Sequence, residues 1–302
     1  MVFIGNMSAE SNDLLSVMRA RISDLKREGD WEGALSAAET LVGSTWDTYE
    51  FEPETLLNYI SALEILANIY RDTGNQKKAQ TEYTKVIDLL ENHKGFYDRI
   101  GIAAANVASI MYDQEMVDEA KEYFKWSLEN LEVADPPAPL EIAGVLNNLA
   151  FLYEEEQRYD EAESLFMRAL KINSEQLGMN DVATADVCNN LGGLFYKNDK
   201  YDQAIEMHKL ALTVRQDMLG EVDSDTAQSW GNLAIVHAAN DNFEEAKECF
   251  EQALDILEKN PKSKLNDYAT VNANFVLILR QSGHDSEADA IEKRVSRFVK
   301  KH

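Results

Sequence analysis

The sequence predicts an all-α protein, a right-handed α-α superhelix of about seven helix-turn-helix units. Three observations predict it: a register that recurs every 42 residues, two stretches of helical apolar periodicity in each unit, and few turn-forming residues. Only 5 of the 302 residues are Pro and 14 are Gly, too few for a chain of many tight β-turns. Hydrophobic residues are 45% and charged residues 27%, enough apolar side chain to build a core.

The repeat is visible by eye. Asn147-Asn148-Leu149-Ala150-Phe151-Leu152-Tyr153 returns 42 residues later as Asn189-Asn190-Leu191-Gly192-Gly193-Leu194-Phe195, and again as Gly231-Asn232-Leu233-Ala234-Ile235-Val236-His237. Downstream, Tyr159-Asp160-Glu161-Ala162 returns as Tyr201-Asp202-Gln203-Ala204 and Phe243-Glu244-Glu245-Ala246. Taking that alanine as a marker gives Ala34, Ala79, Ala120, Ala162, Ala204, Ala246 and Ala288, with gaps of 45, 41 and then 42 residues throughout. Repetition at a fixed period of this size signals a stacked array.

The units fall at about 14–50, 56–93, 98–134, 139–177, 181–219, 223–260 and 265–300, behind a flexible N-terminus at 1–13. Together they read as a single solenoid over 14–302. In the fourth unit Leu146, Leu149, Ala150 and Tyr153 follow the i, i+3, i+4, i+7 pattern, and Ala162, Leu165, Phe166, Ala169 and Leu170 form a second such stripe. Both are amphipathic helices. The polar turn between them, Glu154 to Arg158, is short enough to force an antiparallel helical hairpin. If Ala162 is position 20 of the unit, position 8 is Ala67, Ala108, Ala150, Gly192 and Ala234, and position 27 is Ala169, Ala211 and Ala253. Small residues there let two helices approach closely. The connectors agree: Asp-Pro-Pro-Ala-Pro (135–139) and Asn-Pro-Lys-Ser-Lys (260–264) are helix stops, and Asp181, Asp225 and Asp267 are placed to cap helix N-termini.

Charge narrows the function. Acidic residues outnumber basic ones 54 to 29, a formal charge of −25. That excludes a general nucleic-acid binder, which the phosphate backbone would repel, and docking on anionic membrane. No apolar run approaches a membrane span, and the start Met1-Val-Phe-Ile-Gly-Asn-Met7 is a poor signal peptide. A soluble, cytoplasmic protein is expected. Two cysteines, Cys188 and Cys249, make no disulfide framework; both fall at packing positions and read as buried small hydrophobes.

Chemistry is hard to find. The five histidines, His93, His208, His237, His284 and His302, include no helical metal pair. His208 and His237 stand at positions 24 and 11, usually aromatic, and read as partly buried histidines filling aromatic slots. A metal or pH site between them is the competing reading. Gly192-Gly193 lies within a helix, where tight packing accounts for it better than phosphate binding does. Carboxylates such as Glu154-Glu155-Glu156 read as solvated faces. No nucleophile–base arrangement is legible, so no enzymatic activity, cofactor or metal is expected.

Trp230 at position 4, Leu at 7, Gly or Ala at 8, Tyr or Phe at 11, Ala at 20, Phe at 24 and Ala at 27 resemble the tetratricopeptide repeat. The 42-residue length, with Asn-Asn-Leu-Ala, Arg168-Ala-Leu-Lys-Ile and the following Leu177-Gly178 and Leu219-Gly220, is similar to the kinesin-light-chain variety of that repeat. The resemblance covers about 14–300 and is strongest from 144 to 258. It weakens at Arg21 in the first unit and at Asp285 and Glu292 in the last, as end units with one face in water should. The heptad coiled coil by which kinesin light chains join a motor is absent, so the chain is not expected to be a motor subunit.

The resemblance implies that the first helix of each unit lines a concave surface, with position 6 pointing into it. That position is Asn106, Asn148, Asn190, Asn232 and Asn274 in five successive units. Apolar packing does not require Asn, a mediocre helix former, whereas its amide matches a peptide group in donor and acceptor. Inner helices about 10 Å apart would meet roughly every third peptide bond of an extended chain rising about 3.3 Å per residue. One reading is therefore an Asn ladder holding an extended peptide, with Asn147, Phe151, Asn189, Tyr196 and Lys197 beside it and Asn68, Arg71, Tyr112 and Arg280 elsewhere on the same face. The other is that these Asn side chains bond their own helix or the neighbouring unit and stabilise stacking. The expected partner is a protein or peptide ligand, with weak self-association through the solenoid ends, where Lys293, Arg294, Arg297, Lys300 and Lys301 form a basic tail. The function expected is a non-enzymatic binding scaffold or adaptor. Its alternatives are a peptide-responsive regulatory sensor, resembling bacterial peptide-pheromone receptors, and a self-assembling structural protein.

Overall fold

Seven times along the chain a helix ends, the backbone turns through one left-handed residue, and a second helix begins. A computed structural model describes residues 4–51, 55–259 and 265–301. Among them are fourteen helices and no strand: α1 (Ile4–Glu28), α2 (Trp31–Phe51), α3 (Leu56–Asp72), α4 (Gln76–Leu90), α5 (Tyr97–Asp113), α6 (Val117–Glu132), α7 (Pro139–Glu155), α8 (Tyr159–Gln176), α9 (Val182–Lys197), α10 (Tyr201–Leu219), α11 (Ser224–Ala239), α12 (Phe243–Lys259), α13 (Leu265–Gln281) and α14 (Asp285–Lys301). They pack in consecutive pairs, a solenoid-like architecture of seven helix pairs. The helix of the first pair starts at Ile4, earlier than the periodicity indicated. The expected helix stop at 260–264 lies outside the described residues.

The left-handed residues are Gly29, Gly74, Glu115, Gln157, Asp199, Asp241 and Gly283, with φ from 55° to 80°. Each stands five residues before a marker alanine. In each turn the next backbone N–H donates back to a carbonyl of the first helix, Asp30 to Leu25, Asn75 to Tyr70, Met116 to Met111, Arg158 to Tyr153, Lys200 to Phe195, Asn242 to His237 and His284 to Leu279, at 2.7–2.9 Å. This bond closes the carbonyl end of the helix and reverses the chain. Four of the seven carry a side chain where glycine is unstrained. Gln157→Gly is therefore expected to stabilise by about 0.5–1 kcal/mol, read as a higher denaturant midpoint at unchanged slope.

The connections between pairs also repeat. After α8 and α10, Gly178 and Gly220 adopt φ of 92° and 97°. Thr184 Oγ1 donates to the Gly178 carbonyl at 2.8 Å and Thr226 Oγ1 to the Gly220 carbonyl at 3.0 Å. Asp181 caps α9 by accepting from the Ala183 N–H at 2.8 Å. The cap of α11 is Asp223, which accepts from the Asp225 N–H at 2.8 Å, not Asp225. Asp267 likewise lies within the first turn of α13 rather than before it. The sequence reading placed these two caps inside the helix because an acidic residue suits the first turn as well as the cap.

The chain divides into two compact units, residues 1–145 and 146–302, the boundary falling inside α7. In the first, α1–α6 enclose a core around Leu41, Ile60, Leu63, Ile69, Tyr83, Leu90 and Ile110. In the second, the core around α11–α14 holds Phe250 stacked on Phe275 at 5.0 Å, with Tyr268 against Phe298, and the Phe151 ring meets Phe166 edge-on at 5.3 Å. All seven marker alanines are fully buried, as are Ala169, Ala211 and Ala253. Ala162→Leu or Ala204→Leu is expected to lower stability by about 1–3 kcal/mol through overpacking, with the damage spreading to adjoining pairs. Thermal unfolding matching the parent would refute the close approach assigned to these helices.

The basic tail is not a tail. It belongs to α14, and Arg294 turns back onto α12, donating to Glu258 Oε1 at 2.7 Å and pairing with Asp255. The Arg294 charge is thereby spent within the chain. The side chains of Lys300 and Lys301 lie outside the described residues.

Candidate functional site

In the second unit the first helices of successive pairs, α7, α9 and α11, present an open hollow of about 260 Å³. Phe151 and Glu154 line it from α7, Asn189, Asn190, Gly193, Tyr196 and Lys197 from α9, and Asn232, Ile235 and Val236 from α11, with His208 of α10 beneath. Six of the residues singled out in the sequence thus meet in one place: Phe151, Asn189, Asn190, Tyr196, Lys197 and Asn232. The 42-residue register brings them there, because equal positions in equal units share a face. Asn232 also borders a second hollow of about 480 Å³ between α11 and α13, whose wall includes Asn274.

The Asn side chains are bonded to one another. Asn190 Nδ2 donates to Asn147 Oδ1 at 2.9 Å, and Asn232 Nδ2 donates to Asn189 Oδ1 at 2.9 Å. A position 6 amide therefore links to position 5 of the preceding pair, a separation of 43 residues. This happens only where position 5 is Asn. Asn148 and Asn274 follow Ala105 and Gly231 and have no such link; Asn148 lines neither hollow. Asn106, in the first unit, accepts from Arg71 and donates to the Ile102 carbonyl of its own helix at 2.8 Å. Asn68 accepts from the Tyr83 hydroxyl at 2.7 Å. The bonds of the stacking reading are therefore present at Asn190 and Asn232, while each keeps its side-chain carbonyl for another partner.

His208 supports this row from below. It is 3% exposed, and its Nδ1 bonds Asn189 Oδ1 at 3.1 Å. Burial, reinforced by the Arg215 charge, lowers its pKa to about 4, so the ring is neutral at pH 7 and donates from Nδ1. Asn189 Oδ1 then accepts twice, from His208 and Asn232, which directs its Nδ2 the other way. Gly192 is what makes room: a Cβ there would stand 2.8 Å from His208 Cε1. His237 is also buried, beside Asn242 at 3.5 Å, and burial lowers its pKa. The two histidines thus occupy aromatic slots and bond asparagines instead of sharing a ligand. Among the described residues no three His, Cys, Asp or Glu stand together as a metal site. Cys188 and Cys249 are buried, and burial pushes both thiols up to about 11.

Two sequence expectations fail here. Glu154 is not a solvated carboxylate: it is 7% exposed and paired with Lys197 of the next helix pair. Its signal was available, since Glu154 and Lys197 are 43 residues apart like the two Asn pairs. Gly193, unlike Gly192, is not explained by tight packing, because a Cβ there would meet nothing within 4 Å. Two further cations of the second unit are also held. Arg215 is buried and donates to Asp186, Ser229 Oγ and the Asp225 carbonyl at 2.7–3.1 Å. Arg280 bonds Asp289 and Glu292 at 3.1 and 3.2 Å.

The Tetratricopeptide repeat family profile matches residues 141–217 and 225–301, and a second profile of the same description matches 60–93. No curated protein matches the chain. Among solved structures, BtubC (BKLC) from P. vanneervenii has a TM-score of 0.66 at 24% identity, covering 75% of this chain and 90% of that one. A putative kinesin light chain with nearly identical TPR-like repeats from Podosopora anserina has a TM-score of 0.55 at 18% identity, covering 67% and 96%. The apo form of the quorum sensor NprR from B. thuringiensis has a TM-score of 0.63 at 14% identity, covering 96% and 87%. At these identities the likeness is one of fold. No helix among the described residues is long and apolar enough to cross a membrane.

Proposed function

Because the chain belongs to the tetratricopeptide repeat family, whose members are generally protein-binding scaffolds, we propose that it is a non-enzymatic scaffold or adaptor. In this reading it holds an extended segment of a partner protein across the first helices of the second unit. The observation that carries the reading is the convergence of Asn189, Asn190 and Asn232 with Phe151, Tyr196 and Ile235 in one open hollow. The amides are held in place by each other and by His208. Preorganised amides bind a peptide backbone without first losing side-chain freedom, and the apolar residues between them supply contact area. The asparagines thus serve both stacking and binding. Their inter-pair bonds fix one end of each amide and leave the other for a ligand.

The ionic groups support neither an acidic nor a basic ligand at this hollow. Lys197 is neutralised by Glu154, so recognition rests on backbone amides and apolar side chains. Panning a displayed library of random dodecapeptides on the immobilised protein tests this. Enriched sequences should bind in calorimetry and compete with one another for one site. Absence of any sequence enriched over an unrelated helical protein would overturn the peptide reading.

A further inference from the structure

One side chain is missing from the wall of the hollow. Position 9 of successive pairs is Phe151, Gly193, Ile235 and Leu277, an apolar row with a single gap. Phe151 is 37% and Leu277 54% exposed, so the row is open to solvent. Glycine in mid-helix is a poor helix former and needs a reason. Gly192 has one, the His208 ring. Gly193 has none: its backbone is helical, not left-handed, and a Cβ there would meet nothing within 4 Å.

Resting on the groove reading above, we propose that the Gly193 gap is a specificity pocket. It receives one uncharged apolar side chain, aromatic or branched aliphatic, from the extended peptide held by the Asn row. Phe151 closes one side of the gap, Ile235 and Val236 the other, and Tyr196 lies one turn along α9. Charge complementarity selects the occupant. Lys197 and Glu154 at the rim satisfy each other, and His208 beneath is occupied by Asn189. A charged side chain entering the gap would lose its hydration without gaining a counter-ion. An apolar one loses only water-exposed surface, while the peptide groups on either side of it reach Asn189, Asn190 and Asn232.

The test uses the full chain and the random dodecapeptide library. Peptides selected on the parent protein should share one apolar position. Gly193→Leu, which fills the gap, should bind them at least tenfold more weakly, with Gly193→Ala intermediate, while the melting temperature stays at or above the parent's. Changing the shared apolar residue of a selected peptide to Ala should weaken binding to the parent and leave binding to Gly193→Leu unchanged, which places that side chain in the gap. Selected peptides that bind Gly193→Leu as tightly as the parent, yet are weakened by Asn190→Ala and Asn232→Ala, would overturn the pocket and leave the groove reading standing. A shared Lys, Arg, Asp or Glu in place of the apolar residue would also overturn it. Peptides indifferent to all of these substitutions, or no enriched peptide at all, would overturn both.

Discussion

Replacing Asn190 and Asn232 together by Ala is expected to weaken binding of a groove peptide by about 1–3 kcal/mol, the sum of two amide contacts of about 0.5–1.5 kcal/mol each. The same double variant is expected to lose about 1–3 kcal/mol of folding stability, because Asn190 and Asn232 each donate a bond to the preceding pair and two such bonds disappear. Calorimetry and a denaturant curve on one preparation read both effects. Two single variants calibrate them. Asn147→Ala removes the acceptor of Asn190 and should cost stability first. Asn148→Ala removes an amide that has no inter-pair bond and lines neither hollow, and should change neither quantity. If the double variant, folded, keeps the parent's affinity, the row serves stacking only and binding lies elsewhere on the chain.

Acid should destabilise the protein through His208. Its folded pKa, about 4, lies below the usual value near 6.5, because burial and the Arg215 charge disfavour the imidazolium. Between those values the unfolded chain binds a proton that the folded chain refuses, so stability rises with pH across this window. The contribution is complete above pH 6.5 and is lost as pH falls toward 4, to a total of about 3 kcal/mol. His208→Phe installs the ring that Phe166 and Phe250 supply at the same register and has no such proton to take up. Urea midpoints measured from pH 7.5 to 4 should therefore fall more steeply for the parent than for His208→Phe. Parallel curves would mean that His208 is solvated or hydrogen-bonded as the cation in the folded state. Binding of a groove peptide by the folded chain should hold across this window, where the His208 ring stays neutral and keeps orienting Asn189, and weaken only as pH approaches 4, where the ring takes up its proton.

The sequence alone determined the architecture. A 42-residue register with two apolar stripes per unit leaves one economical solution, paired helices stacked on one another, since a single pair cannot bury its own apolar face. Alanine at one fixed position was legible as a close helix contact because volume is a property of the residue itself. The helix hairpins were legible too, although the left-handed residue that makes each turn was hidden wherever Glu115, Gln157, Asp199 or Asp241 stands in place of glycine.

What the tertiary structure decided was which polar groups are spoken for. Asn190 and Asn232 looked the same as Asn148 in sequence, yet only the first two find an Asn at position 5 of the neighbouring pair. Glu154 looked like its neighbours Glu155 and Glu156 until Lys197 was found against it. Gly192 and Gly193 are adjacent and identical in type, yet one is crowded by His208 and the other borders open space. Periodicity reports which face of a helix a residue occupies. It does not report what the next helix brings to that face, and hydrogen-bond partners, buried charge and empty space all depend on that second side chain.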